Sequence, residues 1–426
     1  MPVNPGHLPT IHERPIWKSK QNEMADEFSY YKINKLLWRW SSKEGARIVR
    51  EVGLSTDKAP PALPKQPETN STRGTPTPKP PKPDPMVKMV DDIGKAVEAF
   101  SRFKIWLNTP DPPKPPKAPP PAKPEKAVPP FDIQEIPGAM REEMMPIGAK
   151  LMERWFAGRL NYSPTDDDER AKINQDGKPY PPDMYDTTTV KLDWVLKFER
   201  ARSKYEYLIT EAIRSDKARK ALHDALIPYK DMGDLFTTNI CGNDPEQLHT
   251  LFQFQRVEVG GTLAEKIMLQ LAAGATNYSA PDDLTAAPGS FVFYAAIGHV
   301  RFSSDIASGV RVSDTRIAEL TGIWVYVTDG YTFTDKAGDR SQYLGHWSSD
   351  GVIVIPLDGI AATSPYIPYV ESPVTIGNPV IKGEVYYPIH NRDFRQWQIK
   401  HQRGGDFIVF TDRRFVPVIP PIRVHL

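Results

Sequence analysis

Two proline-rich tracts limit most strongly what this chain can fold into. About half of its 44 prolines lie in residues 60–85 and 110–130, in runs such as Pro76-Thr-Pro78-Lys-Pro80-Pro81. Because proline fixes φ and lacks an N–H, such tracts cannot form a helix or a central strand. They predict an extended polyproline II spacer, with recognition by a proline-binding groove as the alternative.

The tracts divide the chain into three parts. Aromatic and aliphatic residues between about Asn22 and Val52 predict a helical N-terminal segment, residues 1–58. Residues 59–130 are predicted to form a linker that contains one amphipathic helix, residues 86–107, because apolar side chains recur there at spacings of three and four. The apolar face of this helix requires a cover, either the C-terminal domain of the same chain or a partner.

Residues 131–426 are predicted to form an α+β globular domain. Residues 131–288 are mainly helical in pattern: a helix over 139–160 interrupted by Pro146, helices over 192–226, and a helical stretch within 244–273. Residues 289–426 are mainly β, because β-branched and aromatic runs alternate with Gly, Asp and Asn. Helices followed by strands indicate a mainly antiparallel sheet. The expected strands include 291–297, 310–312, 322–327, 351–355, 383–387, 406–410 and an edge strand at 415–419.

Charge and hydropathy remove several classes of function. The chain has 54 basic and 53 acidic residues, so its net charge of +1 gives no electrostatic reason to bind nucleic acid. No apolar run approaches the ~18 residues of a transmembrane helix. The N-terminus lacks the apolar core of a signal peptide, so we expect synthesis in the cytoplasm and any export by another route.

Local motifs leave the cofactor and the metal unspecified. The dinucleotide, P-loop, zinc-protease and serine-hydrolase motifs are absent from the sequence. The single cysteine, Cys241, excludes an internal disulfide and predicts a buried, inert thiol; a nucleophile is the alternative. The acidic run Asp166–Glu169 lacks the spacing of an EF-hand and predicts a solvated loop or the start of a helix.

A first polar cluster follows the strand expected at 322–327. Asp329 and Tyr331 are two residues apart at its tip, and His346 follows in the next apolar segment. An Asp at a strand end can orient a histidine or activate water as a general base, which makes these three residues catalytic candidates. The alternatives are turn chemistry for Asp329-Gly330 and a packed histidine for His346.

Further clusters lie on either side of the first. Arg395, His401, Arg403 and Asp406 could converge on an anion or a phosphodiester, and Arg395, His401 and Asp406 are catalytic candidates. The alternative is a helix capped by Asn391, followed by a glycine turn and a strand that an Arg–Asp pair holds in place. His299 and Arg301 would share one face of a strand, most simply a solvated face.

Short segments in a fixed order carry a resemblance to a bacterial family found among type VI secretion and polymorphic-toxin genes. The matching segments are Ile136–Met140, Leu151–Phe156, Tyr185-Asp186, Leu192–Phe198, Val327–Phe333, Tyr343–Trp347, Asn391–Arg395 and Gly404–Phe407. The resemblance implies a secreted-effector context, with a cognate immunity protein as a partner, and it implies no particular activity. The tethered N-terminal helices separately predict a carrier or chaperone that binds the arm.

Asp329 and Tyr331 also give a partial resemblance to the colicin M family, which cleaves lipid II. That family has an Asp-x-Tyr-Asp segment followed by a His-Arg pair. Here Thr332 replaces the second Asp, and His346-Trp347 is the nearest histidine.

These features predict an antibacterial effector of a contractile secretion system, with the activity in the C-terminal domain and delivery into a target cell. A non-enzymatic adaptor or structural component of the same machine is the first alternative. A hydrolase of an envelope precursor or of nucleic acid is the second.

Overall fold

The computed structural model describes residues 27–34, 39–64, 130–260, 283–287, 291–307, 310–335, 340–357 and 369–426. The strands are β1 Glu27–Asn34, β2 Arg39–Ile48, β3 Tyr185–Asp186, β4 Asp234–Phe236, β5 Gln253–Val259, β6 Phe291–Ala307, β7 Val310–Tyr331, β8 Tyr343–Ser348, β9 Gly351–Val354, β10 Val374–Thr375, β11 Val385–His390, β12 Phe407–Phe410 and β13 Arg414–His425. The helices are α1 Ile136–Glu142, α2 Pro146–Ala157, α3 Asp166–Ala171, α4 Leu192–Val195, α5 Glu199–Thr210, α6 Asp216–Leu226, α7 Thr238–Cys241, α8 Pro245–Phe252, α9 Asp283–Ala286 and α10 Asn391–His401.

This order of elements confirms the predicted α+β class. Helices dominate between residues 133 and 252, and antiparallel strands dominate after residue 291. Pro146 interrupts the first helical pattern as expected: α1 ends at Glu142, and α2 begins with Pro146 in its first turn, where a missing N–H costs nothing. The acidic run Asp166–Glu169 forms the first turn of α3, capped by the Thr165 side chain.

The larger sheet has seven strands and is organised around one long hairpin. Strands β6 and β7 pair from Val292↔Thr328 to Ala307↔Val310. The other edge of β7 carries β12 near Tyr331 and β13 further along. Each of the seven strands pairs antiparallel except β3, which runs parallel to β12. Thr328 of β7 therefore has a paired neighbour on each side, whereas the last residues of β7, from Asp329 to Tyr331, pair with β12 alone.

The smaller sheet closes into a barrel of strand order β1-β2-β10-β11-β8-β9. Strand β1 pairs with β9 through Tyr31↔Val354, and β2 pairs with β10 through Arg47↔Thr375. The N-terminal hairpin therefore supplies two strands between β9 and β10, and without it both of these strands would be open edges.

The hairpin corrects the prediction of a helical N-terminal segment. Residues 27–34 and 39–48 are strands, and the described residues up to 64 belong to the same compact unit as residues 130–426. The aromatic and β-branched side chains that suggested a helix face are also favoured in strands, and the backbone pairing offered by β9 and β10 decides between the two. The helix predicted at 86–107 lies outside the described residues.

A further segment, residues 49–64, runs from the barrel to the body. The Ser55 hydroxyl donates to Asp132 Oδ2 at 2.8 Å, and the Ser55 backbone N–H donates to Phe131 O at 2.9 Å. Asp132 also caps the turn that precedes α1. The segment thereby attaches the hairpin to the start of the helical region.

Helix α8, Pro245–Phe252, confirms the first part of the helical stretch predicted within 244–273. The chain then turns into β5 at Gln253 and pairs with β6. The second part, predicted at 264–271, lies outside the described residues. One expectation about a helix start needs correction. Helix α10 begins at Asn391 with His390 as its N-cap, so Asn391 is not the cap.

We predict that the hairpin contributes to the stability of the whole unit. Ile33 of β1 is buried in the main core, so Ile33→Ala in the full chain should lower the free energy of unfolding by about 2–5 kcal/mol in urea denaturation. The exposed Lys43→Ala in the same hairpin is the matched control and should change it by less than about 0.5 kcal/mol. Equal, small effects would mean that the hairpin is not part of the cooperative fold.

Candidate functional site

The candidate site lies at the end of β7. Asp329 pairs with Val409 and Tyr331 pairs with Phe407 on the neighbouring β12. The side chains of alternate strand residues point to the same face, so the two candidates are presented together, as their spacing predicted. Both line one cavity of about 360 Å³.

The cavity is walled mainly by apolar side chains from several elements. Helices α1 and α2 and the turn between them contribute methionines and an isoleucine, strands β8 and β9 contribute aliphatic and aromatic side chains, and β2 contributes Trp40. The apolar lining residues include Trp40, Ile136, Met140, Met145, Met152, Phe333, Leu344, Trp347, Val352, Val354, Ile389 and Phe394. The polar ones are Asp329, Tyr331, Gln342, Asn391 and the threonines Thr285, Thr332 and Thr334.

Asp329 is the ionisable acid of this lining. Burial raises the pKa of its carboxyl well above the usual value; the Gly330 N–H opposes the rise, and the negative charge of Glu169 adds to it. The side chain keeps some accessibility because it faces the cavity, but protein atoms surround it. Asp329 therefore favours the neutral carboxylic acid, a hydrogen-bond donor.

Tyr331 is held by aromatic contacts. Its ring stacks on Phe407 with 5.1 Å between centroids and meets Phe333 edge to face at 5.6 Å. Burial raises the pKa of the phenol above its ordinary value. Tyr331 therefore remains a neutral phenol, which is a poor nucleophile.

Arg395 and Asp406 form a buried ion pair beside the cavity. Arg395 Nη2 donates to Asp406 Oδ2 at 2.6 Å and Nη1 to Oδ1 at 3.1 Å. The Trp155 indole N–H donates to Asp406 Oδ1 at 2.9 Å. Arg395 Nη2 also donates to the Thr334 hydroxyl at 2.7 Å, which connects the pair to the cavity wall. This geometry corresponds to the alternative that the sequence left open, an Arg–Asp pair that holds a helix to a strand.

Within the ion pair, the Asp406 side chain is completely buried. Burial raises the pKa of the Asp406 carboxyl, and the Arg395 guanidinium and the Trp155 N–H oppose that rise. The two glycines that precede Asp406 allow the backbone to pass close to neighbouring groups. Gly404 has a φ of +89°, and a Cβ at Gly405 would lie 2.6 Å from the Arg159 carbonyl oxygen.

His346 lies in β8, is fully buried and is not among the cavity residues. Its Nε2 lies 3.1 Å from the Ser372 carbonyl oxygen, which only accepts, so Nε2 carries the proton. Its Nδ1 therefore accepts from the Tyr343 hydroxyl. Burial lowers the pKa of His346 to about 3, so it remains neutral and both ring nitrogens are engaged.

His401 and Arg403 hold the segment 49–64 and do not line the cavity. His401 Nε2 donates to the Thr56 carbonyl oxygen at 2.7 Å. Arg403 donates to the carbonyl oxygens of Pro61 and Gly158, at 2.8 and 3.0 Å. The sequence predicted that His401 converges with Arg395 and Asp406 on one anion. These contacts do not bring the three side chains together.

The remaining residues that the sequence singled out also lie against other groups of the same chain. His299 Nδ1 lies 2.6 Å from the Thr321 hydroxyl, and its ring stacks on Phe236 at 4.0 Å. Arg301 lies 3.7 Å from Glu319. Cys241 is buried as predicted, and burial raises the pKa of its thiol. Within the described ranges, no group of three or more His, Cys, Asp or Glu side chains is arranged to hold a metal ion.

Several lining residues escaped the reasoning from sequence. Trp40 lies in the segment that was predicted to be helical, and Asn391 was predicted to be a cap. Asn391 instead donates through its side-chain amide to Thr334 O and Asp335 Oδ1, at 3.1 and 2.9 Å. No sequence pattern brings Trp40 near Asp329, because barrel closure creates that proximity.

The fold and the site define a mixed α+β protein with a partly open cavity, whose lining combines many apolar side chains with several polar groups. The chain belongs to the family of unknown function DUF6402, whose model matches residues 131–426. No curated protein and no solved structure matches it. The family description assigns no activity, so the resemblance to secretion-associated toxins stays a prediction. Among the described residues, none of the helices has the length and apolar character needed to cross a membrane.

We predict that His346 makes stability depend on pH. The folded pKa lies below the ordinary 6.5, so the stabilisation is complete above about pH 6.5 and is lost as the pH falls toward 3. The free energy of unfolding should fall by up to about 1.4 kcal/mol per pH unit more steeply than in His346→Gln. The exposed His425→Gln is the control and should keep the wild-type slope. Identical slopes for wild type and His346→Gln would contradict the prediction.

We also predict that the Arg395–Asp406 pair is structural. Arg395→Leu leaves the Asp406 carboxyl buried without its cation and should lower the free energy of unfolding by about 3–5 kcal/mol. Arg392, in the same helix, pairs with Glu371 at the surface, and Arg392→Leu should cost at most about 1 kcal/mol. Urea denaturation of the two variants measures the difference. A small effect of Arg395→Leu would show that the guanidinium is not needed by the fold.

Proposed function

We propose that this chain is a non-enzymatic adaptor or structural component of a type VI-like contractile secretion machine, and that its C-terminal domain works by binding. The observation that carries the proposal is that the basic side chains among the catalytic candidates are occupied by internal partners. His346, Arg395 and His401 each bond to groups of the same chain. A general base or an anion-binding cation must instead be within reach of a substrate.

The chemistry of the cavity supports the same proposal. Its described lining contains no histidine, lysine, arginine or cysteine. Burial favours the neutral forms of Asp329 and Tyr331, so the lining offers no nucleophile with an adjacent base. An apolar cavity with a few hydrogen-bonding groups is typical of a binding site.

The secretion context is supported by the resemblance of the segments between residues 136 and 407. Residues 65–129 of the proline-rich linker, outside the described residues, have a composition suited to a tether, and the arm would bind a carrier or chaperone. We place the chain in the bacterial cytoplasm at synthesis, from where the machine would take it up.

An antibacterial effector is the second candidate. Asp329 and Tyr331 line one cavity, which is the pair that the resemblance to lipid II-cleaving toxins would use. Such an effector would carry an envelope-precursor or nucleic-acid hydrolase activity and would require an immunity protein. The absence of a cation from the described lining weighs against an anionic substrate.

We predict that the full chain does not inhibit growth of a bacterial host, whether it is expressed in the cytoplasm or carries an added export signal. In the bacterium that encodes it, loss of the chain should stop secretion of the tube protein of the machine. Loss of an effector would remove killing of competitors while that secretion continued.

Two variants separate the candidates. A growth defect that disappears in Asp329→Asn but persists in the exposed Asp350→Asn would overturn the adaptor proposal and support a catalytic Asp329. Continued secretion of the tube protein without the chain would overturn it as well. Circular dichroism of the purified variants confirms that each is folded.

A further inference from the structure

The cavity disfavours both anionic and cationic ligands. An anion would meet no cationic side chain in the described lining, and it would lie beside the acid Asp329. A cation would need Asp329 to be ionised, yet the charged group that acts on this acid is the carboxylate of Glu169. Glu169 Oε1 accepts from the Thr332 hydroxyl at 3.0 Å and is fixed nearby. A neutral ligand avoids both penalties.

The polar lining offers hydrogen-bond donors. A neutral Asp329 carboxyl has one O–H to donate. The indole nitrogen of Trp40, on the wall contributed by β2, is buried and has no hydrogen-bond partner among the described residues, so a ligand would reach it only after the side chain shifts. A ligand with an acceptor oxygen atom would instead satisfy the O–H of Asp329, whose side chain lines the cavity.

The apolar lining provides an adaptable surface for the rest of the ligand. Met140, Met145 and Met152 come from the helical side of the cavity, and methionine fills irregular spaces because its side chain is unbranched and flexible. Phe333 and Phe394 stack at 3.8 Å between ring centroids and form a rigid wall. The volume, about 360 Å³, equals that of on the order of ten water molecules and is within the range of small-molecule sites.

We propose that this cavity binds a neutral amphipathic molecule, with an apolar chain or ring among the methionines and phenylalanines and a carbonyl-type head that accepts a hydrogen bond from Asp329. This assignment rests on the proposed function, because it treats the cavity as a site that binds and does not react. Trp40 brings the N-terminal hairpin into the site, so the ligand contacts residues both inside and outside the part of the chain that the family model matches.

Three probes with the same alkyl chain test the charge of the head: octanamide, octanoate and octylammonium. They are added to the full chain at pH 7, and binding is measured by calorimetry and by the shift in thermal unfolding. Octanamide should bind about tenfold or more tightly than either ion and should raise the melting temperature. Tightest binding of octylammonium, tightest binding of octanoate, or no binding of any probe would each overturn the proposal.

Two substitutions at Asp329 test the hydrogen bond. Asp329→Asn keeps a donor and should bind octanamide within a few fold of wild type, whereas Asp329→Leu should lose about tenfold. Both remove a buried ionisable group, so both are expected to fold. Val354→Phe, which fills the cavity from β9, provides a second way to remove binding without touching the acid. Equal octanamide affinity of wild type and Asp329→Leu would overturn the role of Asp329.

The outcomes separate this inference from the proposed function. Failure of the probes to bind, with no growth defect in the host, overturns the ligand class and leaves the adaptor proposal intact. A growth defect that requires Asp329 overturns the adaptor proposal, whatever the probes do.

Discussion

The ion pair between Arg395 and Asp406 connects the parts of the molecule on which the cavity depends. Arg395 belongs to α10, Asp406 precedes β12, and the Trp155 indole that completes the contact belongs to α2. Gln398 extends the network by donating to the Gly404 carbonyl oxygen at 2.8 Å. Removing two charged groups from water is costly, so the pair is stable only while each partner keeps its geometry. The same requirement fixes the position of α10 against the sheet end.

This arrangement determines the chemical character of the cavity. Helices α1 and α2, strands β8 and β9 of the barrel, and Trp40 of the hairpin form its walls around the end of β7. The nearby cation, Arg395, is engaged by Asp406, so it does not compensate the charge of Asp329. An acid without a cationic partner in an apolar space favours its neutral form. Such an acid suits recognition of a neutral acceptor, and this links the fold to binding.

Sequence reasoning succeeded where the pattern is local and failed where the partner is distant. The strand at 291–297 and the break at Pro146 follow from composition and from the missing N–H of proline, and both are present. The hairpin at 27–48 was interpreted as a helix because its pairing partners lie more than 300 residues away in β9 and β10. The roles of His346 and His401 also depend on distant carbonyl groups, of Ser372 and Thr56. No spacing rule encodes those contacts.

The protonation state of Asp329 in the full chain decides whether the cavity is suited to a neutral ligand. Carbon-13 NMR of the side-chain carboxyl, assigned by comparison with Asp329→Asn, follows its titration between acidic and neutral pH. Because burial raises its pKa, the Asp329 carboxyl should still be protonated at pH values well above 4, where an ordinary aspartate has lost its proton. An ordinary titration, with a carboxylate at pH 6 and above, would contradict the claim that the cavity is a site for neutral ligands.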